Sequence, residues 1–322
     1  MGCYHSGWAA AWVGGSHVNA SLLWVFGPRP GNTVLGTWVP VGFEPSSTEP
    51  CVEDRIQLHV AVFYATPGLR PRHTTVAGAN HNMLLNSTYA PLDIPETNIL
   101  SYTFPPGQTP SDKPIWIDAK NPSHSLSPRQ ALVWIKRLGS LLDYLSIPKG
   151  EAVMILTPNH IFVPVAYLGI TGAGRVFSGA NPVYTATEVE YQIRNTGTRL
   201  ILTHPSLAQT AVEAGRRAGI QKDRIYLFSD HECESSGGLR DWRSVPVDPN
   251  YTWDPVGSAS KTALATINYS SGTTGLPKGV CVSHFNIVAN SEQTIFMRDL
   301  ETSPQDERWL GFLPLYHAYG TS

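Results

Sequence analysis

From about Tyr89 onward the sequence alternates short apolar runs with amphipathic stretches, and this rhythm leaves few options other than helices packed over a mainly parallel sheet. Ser127 stands as a helix N-cap with Pro128 at the first helical position. Behind it Ala131, Trp134, Leu138, Leu141, Leu142 and Leu145 recur at three- and four-residue spacing. Ala152–Leu156 then reads as a central strand, Ile161–Gly172 as a helix and Val176–Ser178 as the next strand. Thr185 and Glu188 form a capping box for a helix that runs through Val189 and Ile193 and stops at Gly197. The rhythm continues with a strand at Leu200–Thr203, a helix at Ser206–Arg217 closed by Gly219, and a strand at Arg224–Phe228. Cys233–Ser260, rich in Ser, Gly, Pro and Asp, reads as a surface connection to a strand at Ala263–Tyr269. The expected class is α/β, with layered, doubly wound sheets and helices.

Residues 1–88 have a different texture. Trp8, Trp12, Trp24 and Trp38 are scattered among Gly and Pro, and prolines from Pro28 to Pro71 break every window before a long element could form. This part is left unassigned, as irregular chain, disordered sequence or an artefact of the gene model; only Gln57–Tyr64 could be a strand. The apolar run Gly7–Gly27 is interrupted by Ser16, His17, Asn19 and Ser21 and has no basic residue before it, so a membrane or signal segment is not expected. Two domains result: an unassigned 1–88, and 89–322.

Lys and Arg total 23 against 25 Asp and Glu, a net charge of −2, which gives no general attraction for nucleic acid or anionic lipid. Cys3, Cys51, Cys233 and Cys281 lie far apart with no C-x-x-C pair, so free thiols are expected and no zinc spacing is present. His231-Glu232-Cys233 lacks a further ligand at helical or ribbon spacing and reads as a solvated loop.

Chemistry concentrates in Tyr269-Ser270-Ser271-Gly272-Thr273-Thr274-Gly275-Leu276-Pro277-Lys278-Gly279-Val280, directly after an apolar strand. Gly272, Gly275 and Gly279 remove side chains where backbone N–H groups approach oxygens. The hydroxyls of Ser270, Ser271, Thr273 and Thr274 add donors, and Lys278 supplies a cation, so the stretch reads as a phosphate cradle. A plain Ser/Thr/Gly hairpin turn with a solvated lysine is the competing reading. It is not a Walker A loop, because Lys278 is followed by Gly279 and strand-like Val280–Val282 instead of Ser or Thr and a helix. Ser283 is the N-cap of the next helix, which begins near His284 and runs through Ile287 and Ala289.

This segment resembles the signature of the adenylate-forming superfamily, which includes acyl-CoA synthetases, 4-coumarate–CoA ligases, luciferases and peptide-synthetase adenylation domains. Leu156-Thr157-Pro158-Asn159 and Gly179-Ala180-Asn181-Pro182-Val183-Tyr184-Thr185 are similar to two further conserved regions, and Leu313-Pro314-Leu315-Tyr316-His317-Ala318-Tyr319-Gly320 to the segment that reaches the acyl pocket. The resemblance runs from about Ser87 to the end and is nearest the 4-coumarate–CoA ligase and fungal acyl-CoA ligase branch.

The resemblance implies the first part of the family's N-terminal domain and a two-step ligase. A carboxylate attacks the α-phosphate of ATP, accompanied by Mg2+, and a thiol, usually coenzyme A, then displaces AMP. It implies a phosphate loop made of Ser270, Ser271, Gly272, Thr273, Thr274, Gly275 and Lys278, with Lys278 on the outgoing phosphates. It also implies that His317 borders the acyl-adenylate and that Tyr319 forms part of the pocket wall. His317 alone could equally be a core histidine bonded to a carbonyl; its place after a strand at Trp309–Leu313 favours the ligand-facing reading. Tyr184 and Glu188 are assigned to fixing a loop and a helix start.

The family's downstream segments for adenine, ribose and the α-phosphate do not follow Ser322, so an incomplete domain, inactive alone, is expected. The alternatives are a non-catalytic nucleotide-binding remnant or gene fragment, and an amino-acid adenylation module. The acid is unspecified, with aromatic, medium-chain and polyketide acids all compatible. A cytoplasmic location is expected; a longer form could be peroxisomal, although Gly320-Thr321-Ser322 is not the peroxisomal tripeptide.

Overall fold

The computed structural model describes residues 89–248, 250–270, 276–301 and 310–321. The candidate strand Gln57–Tyr64 lies outside them. In chain order the elements are α1 (Ile99–Thr103), β1 (Trp116–Ile117), β2 (Ser125–Leu126), α2 (Pro128–Tyr144), β3 (Ala152–Leu156), α3 (Val163–Gly172), β4 (Val176–Ala180), α4 (Ala186–Thr196), β5 (Leu200–Thr203), α5 (Ala208–Ala218), β6 (Ile225–Leu227), β7 (Leu264–Ser270), β8 (Lys278–Ser283), α6 (His284–Glu301) and α7 (Ala318–Thr321).

Helix starts are set locally. The Gln130 amide donates to Ser127 Oγ at 3.2 Å while Gln130 Oε1 accepts from the Ser127 amide at 2.9 Å, a complete capping box for α2. Thr185 and Glu188 do the same for α4, which ends at Gly197 with φ 65°, a backbone that a Cβ disfavours. Ser283 and Asn286 reciprocate in the same way at the head of α6.

The main sheet has six strands in the order β6-β5-β3-β4-β7-β8, all neighbours parallel except the β7–β8 hairpin. β3 is buried throughout because both of its faces are covered. Val153 and Ile155 join Leu138, Leu141, Val165 and Ala166 of α2 and α3. Met154 and Leu156 join Val189 and Ile193 of α4 and Ala211 and Ala214 of α5. This is a doubly wound α/β arrangement. The loop after β3 leads into α3 on one face and the loop after β4 into α4 on the other. The connections that leave these two adjacent strands, which stay paired through Leu156 and Ala180, therefore run to opposite faces, the topological switch point at which such sheets place a ligand crevice.

Three expectations need correction. Residues 233–260 are more than a surface connection: Leu239, Trp242 and Val245 are buried there, with Trp242 at 0% exposure. A polar segment can enter the interior because its charges are paired. Arg243 meets Asp241 at 3.3 Å and lies 4.4 Å over the Phe162 ring, and burial lowers its pKa while Asp241 opposes that shift. Residues 310–313 form no strand; Leu310 and Phe312 are 82% and 80% exposed, and an apolar run without a sheet neighbour does not hold the extended form. Trp309 lies outside the described residues. The helix expected from Ser206 starts at Ala208, after a 3-10 turn at Pro205–Leu207.

Among the described residues no helix is long and apolar enough to cross a membrane.

Candidate functional site

β7 and β8 form a hairpin whose last paired rungs are Tyr269 with Gly279 and Ser270 with Lys278. Ser270 and Lys278 thus close the Gly- and hydroxyl-rich loop, and Ser270 Oγ makes a long 3.5 Å bond to the Lys278 carbonyl. Lys278 is exposed. Ser271, Gly272, Thr273, Thr274 and Gly275 lie outside the described residues.

α4 braces both stems of this hairpin. Tyr191 Oη donates to the Pro277 carbonyl at 3.0 Å, and Tyr269 Oη donates to Asn195 Oδ1. Residues 191 and 195 are one helical turn apart, so one face of α4 holds the chain on either side of the loop. Burial raises the Tyr269 pKa, with Tyr191, Cys281 and Tyr184 adding to it, so its hydroxyl stays protonated and able to donate. At the head of the same helix, hydrogen bonds from the Thr185 amide and hydroxyl hold the Glu188 carboxyl below its ordinary range. Glu188 is thereby engaged as a cap.

A second cluster sits over the carboxyl ends of β3 and β4. Asn159, in the loop after β3, donates from Nδ2 to the Leu313 carbonyl at 2.7 Å and accepts at Oδ1 from the Leu315 amide at 2.8 Å. From β4, Gly179 meets the backbone of Tyr316: a Cβ added there would lie 2.8 Å from Tyr316 Cα, closer than real side chains come. The turn is closed by the His317 amide bonding to the Pro314 carbonyl at 3.1 Å, and His317 is exposed. Behind Gly179, buried Gln192 donates to its carbonyl and to Ser178 Oγ, each at 3.0 Å. Burial raises the pKa of Tyr184, with Glu188 and Tyr316 adding to it, and burial also raises that of Tyr316. Tyr319 falls in α7, and its side chain lies outside what is described. His317 does not end a strand of its own chain segment; its turn rests on the ends of β3 and β4 instead.

The two clusters are neighbours, since β4 and β7 pair in parallel through Phe177 and Thr266 and so point their carboxyl ends the same way. The hairpin that carries Lys278 is therefore next to β4 and the switch point, where Gly179 meets the Tyr316 backbone. Outside it, burial lowers His160 to about 4, partly opposed by Asp230. Its Nδ1 accepts from the Phe162 amide at 3.2 Å, leaving Nε2 for Thr157 Oγ1 at 3.0 Å. His231 is exposed and pairs with Asp230 at 2.6 Å. Among the described residues no group of three or more His, Cys, Asp or Glu is arranged to hold a metal.

The family model described as AMP-binding enzyme matches residues 106–322. The chain belongs to this family. Among similar AMP-binding proteins, a phenylacetyl-CoA ligase from Aspergillus niger is 33% identical over 233 residues, 70% of this chain and 42% of the relative. An acyl-CoA ligase from the same species is 32% identical, covering 70% and 43%. The solved structure of apo MatB from Rhodopseudomonas palustris superimposes with a TM-score of 0.58 at 22% identity, over 70% of this chain and 41% of that one, a likeness of fold. The chain thus spans less than half the length of these relatives.

In this member of the AMP-binding enzyme family, the described parts of the motifs quoted above as separate segments meet at one end of one sheet. Tyr191, Asn195 and the bonds made by Asn159 escape a sequence reading because each depends on a partner far along the chain, 154 positions for Asn159 and Leu313. Only the hydrogen-bonding side chains of Tyr191 and Asn195, one turn apart on α4, could have drawn notice.

Proposed function

We propose that these residues serve the ATP-dependent, AMP-forming activation of a carboxylic acid, followed by transfer of the acyl group to a thiol such as that of coenzyme A. A carboxylate oxygen forms a bond to the α-phosphorus of ATP, the bond to the bridging oxygen of the β-phosphate breaks, and pyrophosphate leaves. A thiol then attacks the acyl carbon, AMP departs, and the thiol proton is released. Mg2+ is taken here as part of the Mg·ATP substrate, with no protein ligands assigned to it.

The observation that carries this reading is the hairpin closed by Ser270 and Lys278 and braced by α4 beside the switch-point crevice. Lys278, at the loop's exit, would neutralise charge on the departing phosphates, and Ser270, with Ser271, Gly272, Thr273, Thr274 and Gly275, would donate to their oxygens. On the crevice side, His317 and Tyr319 would border the acyl group. Such chemistry depends chiefly on positioning and charge, which fits a site made of donors, one ammonium and a backbone held in place. Phenylacetate is the first acid to try, because one of the similar Aspergillus proteins is named for its CoA ester.

The test pairs Mg·ATP binding by calorimetry with phenylacetate-dependent exchange of pyrophosphate into ATP. Mg·ATP binding that Lys278→Ala weakens at least tenfold supports the loop assignment, and acid-dependent exchange supports adenylation. A second reading, nucleotide binding without turnover, draws on the hairpin alone, since Ser270 and Lys278 close that loop whatever the acyl side does. Binding without exchange for any acid selects it, and absence of binding rejects both.

A further inference from the structure

We propose that Asn159 is a positioning residue whose carboxamide holds the Leu313–His317 turn at a fixed height over the crevice and thereby sets where His317 stands; this rests on reading that turn as the acyl side of the site. The amide is used at both ends, donating to the Leu313 carbonyl at 2.7 Å and accepting from the Leu315 amide at 2.8 Å. That is the pairing a neighbouring strand would offer, supplied here by one side chain. It matters because residues 310–313 belong to no strand. Pro314, between the two bonded residues, has no N–H of its own to give.

The next contact comes from the other strand of the switch point. Gly179 of β4 lies against Tyr316, where an added Cβ would stand 2.8 Å from Cα, and the His317 amide closes the turn onto Pro314 at 3.1 Å. Residues 313, 315 and 316 are thus pinned by the loop after β3 and by β4 itself, on either side of the switch point, and His317 follows directly. Only a carboxamide of this length both donates and accepts in one plane, so Ala loses both bonds. Asn159 is exposed, and hydrogen bonds open to water add little to global stability. Its removal should therefore change the turn and leave the fold alone, which separates positioning from a structural role.

The full chain and its Asn159→Ala variant are compared by amide hydrogen exchange, by melting, and by affinity for two probes: phenylacetyl-sulfamoyl-adenosine, a stable acyl-adenylate mimic, and Mg·ATP. In the variant, Leu315 and His317 amides should exchange at least tenfold faster while Ile155 in β3 is unchanged, with the melting temperature kept. The mimic should bind about tenfold more weakly and Mg·ATP within twofold of wild type. Unchanged exchange at Leu315, faster exchange throughout with a lowered melting point, or equal weakening of both probes would overturn the proposal. A wild-type chain that binds Mg·ATP and ignores the mimic rejects the acyl reading of the turn, while the exchange measurement still decides whether Asn159 holds it.

Discussion

The inner strands and the terminal hairpin of the sheet are built on opposite terms. β3 and β4 are buried at every position, whereas β8 is exposed or half-buried until its last residue, Ser283, and β7 opens to solvent at both ends. The inner strands are held by side chains packed on two faces. The hairpin is held at its stems by hydrogen bonds from one helix, Tyr191 to Pro277 and Tyr269 to Asn195. Stability and chemistry are therefore divided: substitutions inside should move the melting point, and substitutions at the hairpin should move ligand binding. In the proposed function the chain between these stems meets phosphate oxygens, which stems open to solvent permit.

The strongest challenge to that division is Trp242→Ala. Trp242 is fully buried in the same layer as α2 and α3 and stacks edge-on against Trp134 at 5.9 Å. Its loss should cost about 4 kcal/mol in urea unfolding. A cost below about 1 kcal/mol would return residues 233–260 to the surface.

Acidification comes next. Burial lowers His284 from 6.5 to about 4, and its Nδ1 accepts from the Ile99 amide at 3.2 Å, which requires the neutral ring. The unfolded state binds the proton first, so this contribution is intact above about pH 6.5 and is lost as the pH falls toward 4, by about 3 kcal/mol at the limit. His160, also lowered to about 4, acts in the same window. His284→Gln should flatten the slope of stability between those pH values. An unchanged slope would show that the ring is not held neutral.

Tyr191→Phe removes one stem bond and should cost about 1 kcal/mol, with Mg·ATP affinity a few-fold lower. Loss of stability without loss of affinity would mean that α4 braces the fold but not the loop. The smallest effect is on stability in Lys278→Ala, within about 0.5 kcal/mol, since Lys278 is exposed. A larger loss would make that lysine part of the scaffold.

Where the chain's own local chemistry decides an element, the sequence was readable. Ser127, Thr185 and Gly197 mark helix ends through neighbours three to five positions away, and Ala152–Leu156 is a strand because a run apolar on both faces must be covered on both. Reading stopped where distant partners decide. Trp242 is interior because Arg243 can sit over Phe162, 81 positions earlier, and α1 is only five residues long, too short for a periodic pattern. Residues 310–313 share the apolar composition of a strand, yet only pairing makes one. At the candidate site, Ser270 facing Lys278 across a hairpin follows from their spacing around turn residues, while the support of His317 by Asn159 and Gly179 comes from the fold.

The proposed chemistry requires above all that Lys278 meet phosphate. Titrating Mg·ATP into the wild-type chain and into Lys278→Ala at equal stability should give binding in the first and an affinity at least tenfold lower in the second. Equal affinities, or no heat of binding in either, would contradict it.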